Sequence, residues 1–157
     1  KLSNGEKLPT LEKYLKQGKK SKQVKLIVEI KPAKTPELED EMVTKTLKMI
    51  RDKSLENQCE FISFSLHLCK EIKKQNPKTI VQYLAGDLSP SDIKNAGIDG
   101  LDYHYSVFLD KHPDWILEAK KLGLITNVWT VNDEVIFKKL ADLGVGFVTT
   151  NVPDVLK

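Results

Sequence analysis

A regular alternation of short apolar runs with longer amphipathic segments constrains this chain more than any other feature. Runs rich in β-branched and aromatic residues recur at VKLIVEIK (24–31), CEFISF (59–64), TIVQYL (79–84), IDGLDY (98–103), LITNVWT (124–130) and VGFVTT (145–150). Each has the length of a buried strand. The segments between them carry helix signals. Thr35-Pro36 reads as an N-cap and first helical residue, and Glu37, Glu39, Asp40 and Glu41 suit the positive end of the helix dipole. Val43, Leu47 and Ile50 follow at helical spacing. Ser89-Pro90 with Asp92 repeats the start signal, and Gly97 closes that helix. Pro113–Leu122 ends before Gly123, and Asn132–Leu143, with Asn132 as N-cap, ends before Gly144. Upstream of the first strand, Pro9-Thr10 leads into Leu11, Tyr14 and Leu15, with Gly18 as the stop.

Strands alternating with helices at this pitch predict βαβ units and a parallel sheet. Right-handed crossovers leave two architectures, an open doubly wound sheet or a (β/α) barrel. No glycine-rich phosphate loop follows a strand, which removes weight from the nucleotide-binding open sheet. A complete barrel has eight strands and typically about 250 residues. Six strands in 157 residues are two short. The expectation at this point is an α/β fold over residues 1–157 as one domain, either an open sheet or, if it is a (β/α)8 TIM-type barrel, an incomplete one whose first two βα units are missing.

The charge balance, 25 basic against 22 acidic residues, is too even and too dispersed to mark a nucleic-acid surface. Its one local concentration, KQGKKSKQVK (16–25), reads as a solvated helix end and loop. No apolar run approaches the roughly 18 to 20 residues needed to span a bilayer, and residues 1–10 have no secretory-signal pattern. Cys59 and Cys69 lie in no CxxC pair and near no histidine at zinc spacing, so both are expected as buried apolar residues.

Candidate chemistry gathers at strand ends. Alternation along the first strand puts Lys25, Ile27, Glu29 and Lys31 on one face. A carboxylate and an ammonium thus project together from the C-terminal end of a parallel strand, the end that forms the active-site floor of a barrel. Two readings stand: a plain Glu29–Lys31 ion pair, or a site for a hard cation and an anion. Trp129 ends the fifth strand, either as core or as an apolar wall with an N–H to donate. His104 directly follows LDY and overhangs the same mouth, whereas His67 and His112 fall on surface positions. No GxSxG elbow or Ser/His/Asp order supports serine catalysis.

Taken together, PTLEKYL (9–15), VEIK (28–31), SF (63–64), WTVND (129–133) and GVGFVTTNVP (144–153) resemble the C-terminal part of the glycerophosphodiester phosphodiesterases, over essentially the whole chain. The resemblance implies a (β/α)8 barrel that hydrolyses glycerophosphodiesters to an alcohol and glycerol 3-phosphate with a divalent cation, Mg²⁺ or Ca²⁺. It implies that Glu29 is a metal carboxylate, Lys31 a phosphate-contacting lysine, and Trp129 and Phe64 walls of the substrate pocket. For the compartment, resemblance to bacterial relatives points to export to the periplasm, with a cytoplasmic location as the alternative.

The family's N-terminal His-Arg motif, Glu-x-Asp carboxylates and second catalytic histidine have no counterpart here. All belong to the two βα units absent by strand count. General acid–base catalysis in the family rests on those two histidines. The expectation is a chain that is inactive and binds divalent metal weakly unless the missing part of the barrel completes it. Such a partial barrel exposes two unpaired strand edges. A non-catalytic binder of phosphodiester or lipid head groups and a related phospholipase-type barrel are the alternatives.

Overall fold

The computed structural model describes residue 3 and residues 5–156. The elements are α1 (Leu11–Gly18), β1 (Leu26–Glu29), α2 (Pro36–Asp52), β2 (Cys59–Ser63), α3 (Leu66–Gln75), β3 (Val81–Tyr83), α4 (Pro90–Asn95), β4 (Gly100–His104), α5 (Trp115–Lys121), β5 (Ile125–Trp129), α6 (Glu134–Leu143) and β6 (Phe147–Val148). A π-helical turn at Val107–Lys111 precedes α5.

All six strands are parallel and lie in the sheet in chain order. This order decides between the two architectures open from sequence. A doubly wound sheet reverses direction at a switch point, whereas here every crossover steps the same way. The sheet curls into an incomplete TIM-type barrel, a half-barrel of six strands. Among the described residues, β1 and β6 are its edges.

The outer face of the sheet packs under the helices. Phe61, Val81, Leu101, Tyr103 and Val128 are almost wholly buried there. They join Val43, Leu47 and Ile50 of α2, Leu68, Cys69 and Ile72 of α3, Ile93 of α4, Ile116 and Ala119 of α5 and Leu140 of α6 in one core. Each large side chain so buried stabilises the fold by roughly 1.5–3 kcal/mol. Both cysteines are free and buried, and burial pushes their thiols up, Cys59 to about 11 and Cys69 to about 12. Both are therefore neutral thiols in the packing.

Registers give the inner, concave face: Ile27 and Glu29, Glu60 and Ile62, Gln82, Gly100 with Asp102 and His104, Ile125 with Asn127 and Trp129, then Phe147. At the edges this face is open, leaving Ile27 47% and Phe147 60% exposed. Gly100 is required by close approach, because a Cβ there would sit 2.5 Å from the Ile125 carbonyl oxygen.

Helix starts follow the sequence signals with one shift. Thr10, Thr35 and Ser89 are N-caps, and Ser89 with Asp92 forms a reciprocal capping box. The cap of α6 is Asp133, which accepts from the Val135 and Ile136 N–H groups. Asn132 instead accepts from the Asn151 N–H and the Thr150 hydroxyl, tying the β5 exit to the chain after β6. The amide serves that loop contact because Asp133, one residue closer to the helix, carries the stronger acceptor. Helix α5 starts at Trp115, later than Pro113, because the π-turn and the His112 backbone consume the preceding residues. The strands are shorter than their apolar runs, although the Ile30 N–H still bonds to the Ile62 carbonyl beyond β1. Gly18 lies inside α1, where a Cβ would meet the Leu26 side chain at 2.6 Å. Gly144 holds φ +77° and ends α6 in the left-handed cap expected of it. No helix among the described residues is long and apolar enough to cross a membrane.

Candidate functional site

The C-terminal ends of the strands converge on a cavity of about 280 Å³. Glu29 and Lys31 line it from β1 and its exit, Ile62 and Phe64 from β2 and its exit, and Leu84 from the exit of β3. Asp102 enters from β4, Trp129 and Thr130 from β5, and Thr149 from β6. This is the mouth at which parallel barrels place their chemistry.

Glu29 and Lys31 do project together. The Lys31 ammonium lies 2.9 Å from Glu29 Oε1, with the lysine side chain 77% exposed and the glutamate 32%. So open a pair contributes little stability, and the ammonium keeps N–H donors free for an anion. Trp129 stands across the cavity, its indole N–H donating to the Asp102 carbonyl at 2.9 Å. That bond occupies the one donor the indole has. Trp129 thus offers a ring surface rather than a hydrogen bond. Phe64 meets it edge-on, with ring centroids 5.8 Å apart.

His104 is not among the residues lining the cavity. Its ring packs edge-on against Trp129 at 5.2 Å and beside Tyr105 at 4.4 Å. Nδ1 lies 2.8 Å from the Ser106 hydroxyl oxygen and accepts from the Ser106 N–H at 3.3 Å. An accepting Nδ1 leaves the proton of the neutral ring on Nε2. By register His104 lies on the same concave face as Asp102 and Trp129, and its ring reaches the indole rather than the cavity itself. His67 pairs with Asp40 at 2.7 Å on the surface, and His112 stacks on Trp115 at 3.8 Å.

Asp102 belongs to the site and is not singled out by sequence reasoning. It is 2% exposed, and Oδ1 has no hydrogen-bond partner. Burial, and then the nearby Glu29 carboxylate, push its carboxyl up to about 7. Gln82 and Asn127, on the flanking strands, also bury an unpartnered side-chain oxygen each. The concave face beneath the cavity thus buries three side-chain oxygens that no donor satisfies. The signal for Asp102 is alternation through GLDYH, which puts it on the face of His104, two residues back.

Glu29, with one oxygen on Lys31, offers one accessible carboxylate oxygen to a hard cation, and Asp102 a second carboxylate deeper in. Among the described residues no group of three or more His, Cys, Asp or Glu side chains is placed to hold a metal ion. Such a cation takes six or more oxygens. These residues do not by themselves make a complete divalent site.

The chain matches the family model described as the glycerophosphoryl diester phosphodiesterase family over residues 1–155. It is similar to a crystal structure of a glycerophosphodiester phosphodiesterase from Parabacteroides distasonis, with 45% identity and a TM-score of 0.94 over 98% of this chain and 64% of that one. A protein of Silicibacter pomeroyi provisionally assigned the same activity is 27% identical, with a TM-score of 0.80 over 93% of this chain and 54% of that one. An Oleispira antarctica phosphodiesterase in complex with the product sn-glycerol-3-phosphate shares the fold at 22% identity, with a TM-score of 0.79 over 94% of this chain and 59% of that one. The chain therefore spans under two thirds of the length of these solved relatives. No curated protein matches it.

Proposed function

Because the chain belongs to the glycerophosphoryl diester phosphodiesterase family, we propose that it forms, as one domain, the C-terminal part of a barrel that hydrolyses glycerophosphodiesters. Water adds across a P–O ester bond, giving glycerol 3-phosphate and an alcohol that takes up the proton. The observation that carries this reading is the Glu29–Lys31 pair, 2.9 Å apart, in one cavity with the Trp129 and Phe64 rings. It joins an anion-binding ammonium, a hard oxygen ligand and an apolar wall, the three elements that a phosphodiester with a carbon backbone requires.

In this reading the Lys31 ammonium leaves Glu29 in part and donates to a phosphoryl oxygen, holding the ester in the mouth. Trp129, fixed by its bond to the Asp102 carbonyl, and Phe64 pack against the carbon skeleton and exclude water from one side. Glu29 would contribute one ligand to a divalent cation, Mg²⁺ or Ca²⁺, with Asp102 deeper in the same mouth, and the remaining ligands would come from outside the described residues. Such a cation, when bound, offsets the charge on the phosphoryl oxygens. No histidine among the described residues lines the cavity, so the acid–base groups also come from elsewhere. A segment that adds two βα units between the β6 and β1 edges would supply both and cover Ile27 and Phe147.

The test is release of glycerol 3-phosphate from glycerophosphocholine by the intact protein, with Lys31→Ala as the comparison. The expected result is turnover by the intact protein, a fall of about 10-fold or more in kcat/KM for the variant, and none from residues 1–157 alone. Turnover unchanged in Lys31→Ala sinks the assignment. Release of diacylglycerol from phospholipid without glycerol 3-phosphate would make it a phospholipase-type enzyme instead.

A further inference from the structure

We propose that Glu39 is a positioning residue, holding Lys31 and Phe64 in register with each other across the mouth of the barrel; this rests on the functional reading above. Glu39 lies in the first turn of α2, where acidic residues commonly only complement the helix dipole. Here it is 6% exposed, and its two oxygens reach two different loops. Oε1 accepts from the Ala33 N–H at 3.1 Å, in the loop after β1. Oε2 accepts from the Ser65 hydroxyl at 2.8 Å, in the loop after β2.

A second tie lies one layer below. The fully buried Ser63 hydroxyl donates to the Ile30 carbonyl at 2.7 Å and accepts from the Ser65 N–H at 3.1 Å. Lys31 is thus bracketed by Ile30 and Ala33, and Phe64 by Ser63 and Ser65. Every bracketing residue is bonded to the other loop, directly or through Glu39. The Lys31 and Phe64 side chains are themselves open to solvent, at 77% and 40% exposed. Their placement therefore comes from the backbone beneath them, and that backbone is cross-linked by this network. A displacement of about 1 Å at a substrate-holding group can cost on the order of 100-fold in rate.

The carboxylate is chemically suited to the task. Both groups facing it are donors, and a carboxylate is acceptor-only. Glutamine keeps one acceptor for the Ala33 N–H and presents an amide N–H to Ser65. The Ser65 hydroxyl already accepts from the Leu68 N–H as the N-cap of α3, yet has a second lone pair for that amide. Glu39→Gln should therefore preserve the bridge in weakened form. Glu39→Ala removes it.

The experiment uses the intact protein with Trp115, the other tryptophan of residues 1–157, and any tryptophan outside those residues replaced by phenylalanine, so that Trp129 alone emits. Variants Glu39→Ala, Glu39→Gln and the core control Ile50→Val are compared by glycerophosphocholine hydrolysis per folded molecule and by Trp129 emission. The proposal expects Glu39→Ala to lose about 10- to 100-fold in kcat/KM and to change the Trp129 emission as Phe64 shifts. Glu39→Gln should recover most of both, and Ile50→Val should change neither. A Glu39→Ala protein with unaltered emission and kcat/KM overturns the proposal, as does a loss of activity that Ile50→Val reproduces. If the parent protein turns over no glycerophosphodiester, the functional reading fails, and the emission arm alone decides whether Glu39 holds Phe64.

Discussion

Replacing Asp102 with asparagine isolates the electrostatic cost of placing a carboxyl on the concave face. The Asp102 carboxyl has an ordinary value of 3.8 and is pushed up to about 7, first by burial and then by Glu29. The folded chain thus holds this proton more tightly than the unfolded chain does. Between about pH 4 and pH 7 the native state binds the extra proton, so stability falls as pH rises through that window and levels off above it. A shift of about three units corresponds to a ceiling of roughly 4 kcal/mol, of which roughly 2–3 kcal/mol is lost between about pH 5 and pH 8. Asparagine cannot ionise, and its amide N–H groups face a region where Gln82 and Asn127 bury unpartnered oxygens. Urea unfolding of the intact protein and of Asp102→Asn, in chelator and at about pH 5 and pH 8, measures the difference. The variant should gain on the parent by roughly 2–3 kcal/mol between the two conditions. Parallel stabilities at both values would refute the reasoning.

Gly100→Ala places a Cβ 2.5 Å from the Ile125 carbonyl oxygen and 2.8 Å from the Ile125 Cβ. Both neighbours belong to a paired strand, so denaturant unfolding should show a loss of about 2 kcal/mol or more. Asp133→Ala removes the acceptor for two N–H groups at the start of α6. Thermal or urea unfolding should register about 1 kcal/mol lost, and Asn132→Ala should leave the helix cap intact.

Strand–helix alternation, the helix starts after Thr10, Thr35 and Ser89, and the projection of Glu29 and Lys31 from one strand face were legible because each depends on local sequence. Periodicity alone left an open sheet and a barrel both standing, since the choice lies in strand order, a matter of which distant segments pair; the family resemblance supplied the barrel. Trp129 could be read as a wall but not as a donor already spent, because its partner is a carbonyl 27 residues away. The contact of the His104 ring with Ser106 was out of reach for a similar reason, since it depends on the backbone after β4. Asp102 was hidden by its neighbours. A carboxyl inside IDGLDY looks like a strand-end charge until the register shows it facing inward beside Asn127. Glu39 is the same lesson on a helix, an apparent dipole partner that burial turns into a bridge between two loops.

The most direct measurement is a crystal structure of the intact protein with sn-glycerol 3-phosphate bound. The account predicts the phosphoryl group within about 3 Å of Lys31 Nζ, with the glycerol carbons against the Trp129 ring. A ligand seated away from this cavity, with Lys31 still paired only to Glu29, would contradict it.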